Sequence, residues 1–128
     1  MTLLISCLLI ALLLPYIAKL PVAIAMHKLG GYNNKAPRSQ QAKLTGFGAR
    51  ALAAHQNAFE SVIIFAPAVI LAIATNHTGE LIQQLAIAHI VARIFYHILY
   101  LANISTLRSI IWGISLLCAL TIVWQCLP

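Results

Sequence analysis

Charge is what this sequence has least of. Asp, Glu, Lys and Arg make up 8% of its 128 residues, against roughly 25% in a soluble domain. So few charges cannot cover the surface of a soluble domain this small, and with 62% of the residues hydrophobic the apolar surface must face lipid. The apolar residues come in long blocks, which a solvent-exposed helix does not tolerate. Basic clusters are missing as well. The formal net charge of +6 comes from scattered side chains, with no Lys/Arg run and no interleaved aromatics. Nucleic acid is therefore not an expected partner, and the positive-inside rule accounts better for these bases. Cysteine is limited to Cys7, Cys118 and Cys126, each inside an apolar block and none in a CxxC pair. Such cysteines act as small packing hydrophobes, so no structural disulfide is expected. Nor is a metal site: no HExxH occurs, His89 and His97 lie two helical turns apart, and His27 and His77 read as loop residues. No inverted repeat and no pair of broken helices supports a transporter or channel component.

What remains is four apolar blocks. The first, residues 2–26, is interrupted only by Lys19. Its Ala23-Ile24-Ala25 resembles a signal-peptidase site, but no base precedes the stretch and it is long for a cleaved signal. A retained first helix is expected, with Pro15 and Pro21 as kink points. The polar stretch 27–45, with Gly30-Gly31, Asn33-Asn34 and Pro37, reads as a loop. A second block follows at about 47–75, a tight turn at Asn76-His77-Thr78-Gly79, a third block at 80–102, a short connection from Asn103, and a fourth block at 106–127. Only Ser109 to Leu127 meets the strict requirement of about 18 uncharged apolar residues; block length and the short turns carry the other three. The expected fold is an all-α integral membrane protein, a single domain of four antiparallel transmembrane helices.

Orientation follows from the bases. Lys28, Lys35, Arg38 and Lys43 place the 27–45 loop in the cytoplasm, and both termini on the far side. The 76–80 turn carries only Glu80, and Arg108 stands beside the second cytoplasmic connection. The absence of tails and sorting signals favours a bacterial inner membrane over the endoplasmic reticulum.

Polar residues inside the second and third blocks need explaining, because an ionisable side chain at the centre of a membrane helix costs about 2.5–3.5 kcal/mol by insertion scales. At 100° per residue, Arg50, Asn57 and Glu60 share a sector of about 80°. His89, Arg93, Tyr96, His97 and Tyr100 form a second stripe at spacings of three and four. The two faces should meet each other or a neighbouring subunit. Glu60 should be paired, most simply with Arg50 or with Arg93 across the bundle. One reading is interhelical hydrogen bonding that only fixes helix packing. The other is a binding site reached from the cytoplasm, in which arginine forks hold carboxylates while Asn, Glu and Tyr fix amide and amino groups.

These residues carry a resemblance. The stretch Arg50-Ala-Leu-Ala-Ala-His-Gln-Asn57-Ala-Phe-Glu60 resembles the second-helix signature of the MAPEG family, the membrane-associated proteins in eicosanoid and glutathione metabolism. The stretch Ala92-Arg93-Ile-Phe-Tyr96-His97-Ile-Leu-Tyr100 resembles its third-helix signature, and is similar to a run in the microsomal glutathione transferases. The resemblance implies a homotrimer with glutathione as co-substrate, bound between neighbouring subunits near the cytoplasmic face, and no metal. It implies that Asn57 and Glu60 hold the peptide part of glutathione, that Arg50 and Arg93 hold the site and its charges, and that Tyr96 and Tyr100 line the pocket. Arg108 falls near the place where some members direct an Arg at the thiol, and is the implied catalytic residue. The chain departs from the family pattern at Ala53, where several members have a further Arg, and at Ser61, where some have Tyr. The implied activity is that of a glutathione transferase, or a peroxidase using the same thiol, acting on lipophilic electrophiles dissolved in the bilayer. The alternative is a non-catalytic lipid- or glutathione-binding protein of the same fold.

Overall fold

A long helix forms wherever an apolar block runs unbroken by turn residues, and the computed structural model, which describes all 128 residues, contains four: α1 (Thr2–His27), α3 (Gly46–Ala74), α4 (Glu80–Leu101) and α5 (Ser105–Trp124). Each is long and apolar enough to cross a bilayer. No strand is present. The last helix stops at Trp124, short of the end of its apolar block at Leu127.

The two tight turns use asparagine for the same physical reason. Asn76 and Asn103 adopt left-handed backbone conformations, φ 59° and 61°, which asparagine tolerates better than most residues. At each turn the next amide reaches back five residues, His77 N–H to the Ala72 carbonyl and Ile104 N–H to the Leu99 carbonyl, both at N···O 2.9 Å or less. This satisfies carbonyls that the helix end would leave open.

The polar stretch expected to be a loop contains a short helix, α2 (Pro37–Gln41). Pro37 suits the first helical turn, where its missing N–H costs nothing. Gln40 then organises the segment. Its buried amide donates to the carbonyls of Met26 and Gly31, while its Oε1 accepts from Asn33 N–H. The Asn33 side chain in turn accepts from the amides of Lys35 and Ala36. The segment is thus a hydrogen-bonded cap on α1.

Around the bundle, α1 packs chiefly on α3 and α5 chiefly on α4, while α3 also touches α4 and α5. Helices α3 and α4 are therefore the central pair. Small side chains bring the helices close: Ala11 and Ala18 of α1, Ala51, Ala54, Ala58, Ala68 and Ala72 of α3, Ala86 and Ala92 of α4, and Ala119 of α5 are all buried. This is the packing expected in lipid, where close van der Waals contact replaces the hydrophobic effect between helices. At Gly48 an added Cβ would come within 3.0 Å of Ala25 and Leu44 side-chain atoms. The main core joins all four long helices and centres on Leu4, Phe65, Val69, Ile82, Ile90 and Ile122. Large apolar residues such as Ile63, Leu117 and Trp124 are more than 60% exposed, as a lipid-facing surface requires.

Candidate functional site

The polar stripes of α3 and α4 meet in the middle of the bundle. Arg93 is only 2% exposed. Its Nη2 donates both to the backbone carbonyl of Asn57, at 3.2 Å, and to the Asn57 side-chain oxygen. The amide nitrogen of Asn57 donates to Glu60 Oε2 at 2.8 Å. Asn57 is therefore a bridge between a buried guanidinium and a carboxylate. It also corrects the pairing expected for Glu60: its hydrogen-bond partner is Asn57, not Arg50 or Arg93, and its side chain is on the exposed surface of the protomer. The reason is helical phase. Asn57 and Glu60 are three residues apart and neighbours on one face, so the amide reaches both groups and Glu60 stays at the rim.

From Arg93 the site continues toward the C-terminal end of α4 as a ladder. The Arg93 guanidinium carbon sits 4.2 Å from the centre of the Tyr96 ring. Tyr96 meets Tyr100 edge-to-face at 5.6 Å. Arg108, near the start of α5, places its guanidinium 4.1 Å from the centre of the Tyr100 ring. Each cation lies on the negative face of a tyrosine ring, which holds it without a carboxylate; Arg93 engages Asn57 through its Nη2, while the Arg108 guanidinium is left free for a ligand. Tyr96, Tyr100, Arg108, Ser109 and Trp112 line a concavity of about 190 Å3. Trp112 also borders a second cavity of about 80 Å3, deeper along α5, whose walls include Asn57, Glu60, Ser61, His89 and Arg93. The two share Trp112 and together are called the groove; Arg108 borders its outer part, and Glu60 and Arg93 border its inner part.

A family model described as the MAPEG family matches residues 3–128. The chain belongs to the MAPEG family. No curated protein and no solved structure gives a significant match. The protein is thus a multi-pass membrane protein, a MAPEG four-helix bundle, of a family that acts in glutathione and eicosanoid metabolism.

Within this MAPEG bundle, six of the seven site residues named from the sequence border the groove: Asn57, Glu60, Arg93, Tyr96, Tyr100 and Arg108. Arg50 does not. It lies two turns from Asn57, about 10 Å along the helix axis. Its Nε is buried without a partner. A shared helix face therefore did not mean a shared site. The stripe on α4 also splits, since His97 borders neither cavity and both its ring nitrogens are buried and unpartnered. Trp112 and Ser115 are groove residues that sequence reasoning passed over, and Ser61 stood out there only as a departure from the family pattern. Serine and tryptophan inside an apolar block carry no signal of their own until the neighbouring helix is placed. A separate concavity of about 430 Å3 lies between α1, α2 and α3, lined by Tyr16, Lys19, Arg38, His55 and Phe59 among others. There His55 Nδ1 donates to the Pro15 carbonyl at 2.8 Å.

Proposed function

We propose that this protein is a membrane-bound glutathione transferase that ionises the glutathione thiol and directs it at lipophilic electrophiles. The observation that carries the reading is the groove's charge layout, two guanidiniums on tyrosine faces and one carboxylate at the rim. Glutathione presents the complement: two carboxylates, one ammonium and a thiol. Glu60 and Asn57 suit the ammonium and amide end, Arg93 suits a carboxylate, and Arg108 suits the thiolate. A free thiol titrates near 8.5, and one opposite charge nearby lowers a pKa by about 1–3. A single well-placed arginine is then enough to make the thiolate dominant at neutral pH.

Assembly as a homotrimer belongs to the same proposal. Ligand sites commonly enclose about 300–1,000 Å3. The two parts of the groove offer about 80 and about 190 Å3 in one protomer, so a neighbouring subunit would supply the missing wall. The groove's Arg108 end is on the side of the basic 28–43 segment, which we take as cytoplasmic; both termini are then non-cytoplasmic.

Calorimetric titration of the detergent-solubilised protein with glutathione should show saturable binding, and mixing should produce thiolate absorbance at neutral pH. Binding without thiolate would establish instead a non-catalytic glutathione-binding protein of this fold. No binding at all would refute the reading.

A further inference from the structure

The segment between α1 and α3 carries bases that the groove does not use: Lys28, Lys35, Arg38 and Lys43. The chain has only two acidic side chains to set against them. Glu60 is bound to Asn57 at the groove, and Glu80 begins α4, at the end of the bundle away from this segment.

Two of these lysines border neighbouring concavities. The first, about 240 Å3, lies between the end of α1 and the start of α3, and its lining includes Ile24, Lys28, Leu29, Thr45 and Phe47. Its rim is apolar: Ile24, Leu29 and Phe47 are 58%, 50% and 46% exposed. The second, about 290 Å3, is lined by Gly31, Ser39, Gln40 and Lys43 among others, with Leu29 as its single hydrophobic residue. Leu29 thus borders both, and neither lining contains an acid. Both are preformed. Gln40 donates to the Met26 and Gly31 carbonyls, which fixes the wall of the polar concavity against the end of α1. At Gly48 the α3 backbone lies so close to Ala25 and Leu44 that an added Cβ would stand 3.0 Å from each, which fixes the wall of the apolar one.

Their place in the fold selects the occupant. Lys28 is the C-cap residue of α1 and Thr45 the N-cap residue of α3, so both stand where two membrane spans leave the hydrocarbon for the headgroup layer. A soluble anion would fill the polar concavity and leave the apolar one empty. An amphiphile with an anionic head suits both: an acyl chain lies along Ile24 and Phe47, and a phosphate comes within reach of the flexible lysine side chains.

We propose that the two concavities together bind one anionic phospholipid of the leaflet that the 27–45 segment faces, with Lys28 and Lys43 as its phosphate partners. The site is separate from the groove and independent of the glutathione reading. It also differs from the general attraction of a basic segment for an anionic surface, because it assigns the preference to two of the four bases.

Native mass spectrometry of the delipidated protein, titrated with dioleoyl phosphatidylglycerol or dioleoyl phosphatidylcholine, gives the ratio of affinities for the first lipid bound. One lysine beside an anionic headgroup corresponds to about fivefold, so the pair should give a preference for phosphatidylglycerol of about tenfold or more. Lys28→Gln and Lys43→Gln should each lower the preference about fivefold, and the double variant should abolish it. Lys35→Gln removes the same charge from the same segment but borders neither concavity, and should leave the preference unchanged. Equal affinity for the two lipids overturns the proposal. So does a preference that falls as far with Lys35→Gln as with Lys28→Gln. Displacement of the bound lipid by millimolar glycerol 3-phosphate would mark a site for soluble anions and overturn the lipid assignment.

Discussion

Asn57→Ala removes the one side chain that links the groove's buried cation to its carboxylate. Arg93 would lose its bond to the Asn57 side chain but keep the Asn57 backbone carbonyl at 3.2 Å and the face of Tyr96. A hydrogen bond to a charged group contributes about 1.5–3 kcal/mol in soluble proteins. Polar contacts between membrane helices average about 0.6 kcal/mol and reach about 1.7. Because Arg93 is almost wholly buried and retains a second acceptor, a loss of about 1–2 kcal/mol is expected. A double-mutant cycle isolates the pair: Asn57→Ala, Arg93→Met and the double variant, each unfolded reversibly in mixed detergent micelles. The coupling between positions 57 and 93 should be about 1 kcal/mol or more. Coupling indistinguishable from additivity, within about 0.5 kcal/mol, would show that the Asn57–Arg93 contact contributes nothing specific and would refute the bridge.

The remaining predictions concern the rim, the thiol and the topology. Glu60→Ala should weaken glutathione binding by tenfold or more in calorimetry while shifting the stability of the isolated protomer by less than about 1 kcal/mol, as for an exposed polar contact; a large loss of protomer stability would contradict the exposed placement of this carboxylate. Arg108→Ala should leave glutathione binding within a fewfold, yet move the alkaline rise of the conjugation profile up by at least about one pH unit. Arg108→Lys should rescue it only in part, because the ammonium presents its charge differently; normal conjugation by the alanine variant at neutral pH would remove Arg108 from catalysis. With Cys7, Cys118 and Cys126 replaced, a cysteine at Asn34 should react only from the cytoplasmic side and one at Thr78 only from the other. The reverse labelling pattern would invert the proposed access.

Hydropathy and turn chemistry were legible in the linear sequence because both are local. Twenty-odd apolar residues must form a helix in lipid to satisfy their backbone groups, and asparagine marked both left-handed turns. The family was legible for a related reason. Its two signatures are short runs along single helices, from Arg50 to Glu60 and from Arg93 to Tyr100, readable without knowing how the helices pack. Which polar residues share a site was not local, and the tertiary structure decided it. Arg50 lies on the same face as Asn57 but two turns away, and a helix face is long compared with a ligand. Glu60 looked as though it needed an arginine, and three residues of helix delivered an amide instead. Ser61 and His89 are distant in sequence, and nothing local pairs them. They meet only because α3, α4 and α5 converge, with the Ser115 carbonyl holding the His89 proton on Nδ1. Hydrogen-bond roles are assigned by what each neighbour can accept, and neighbours across a bundle exist only once it is packed.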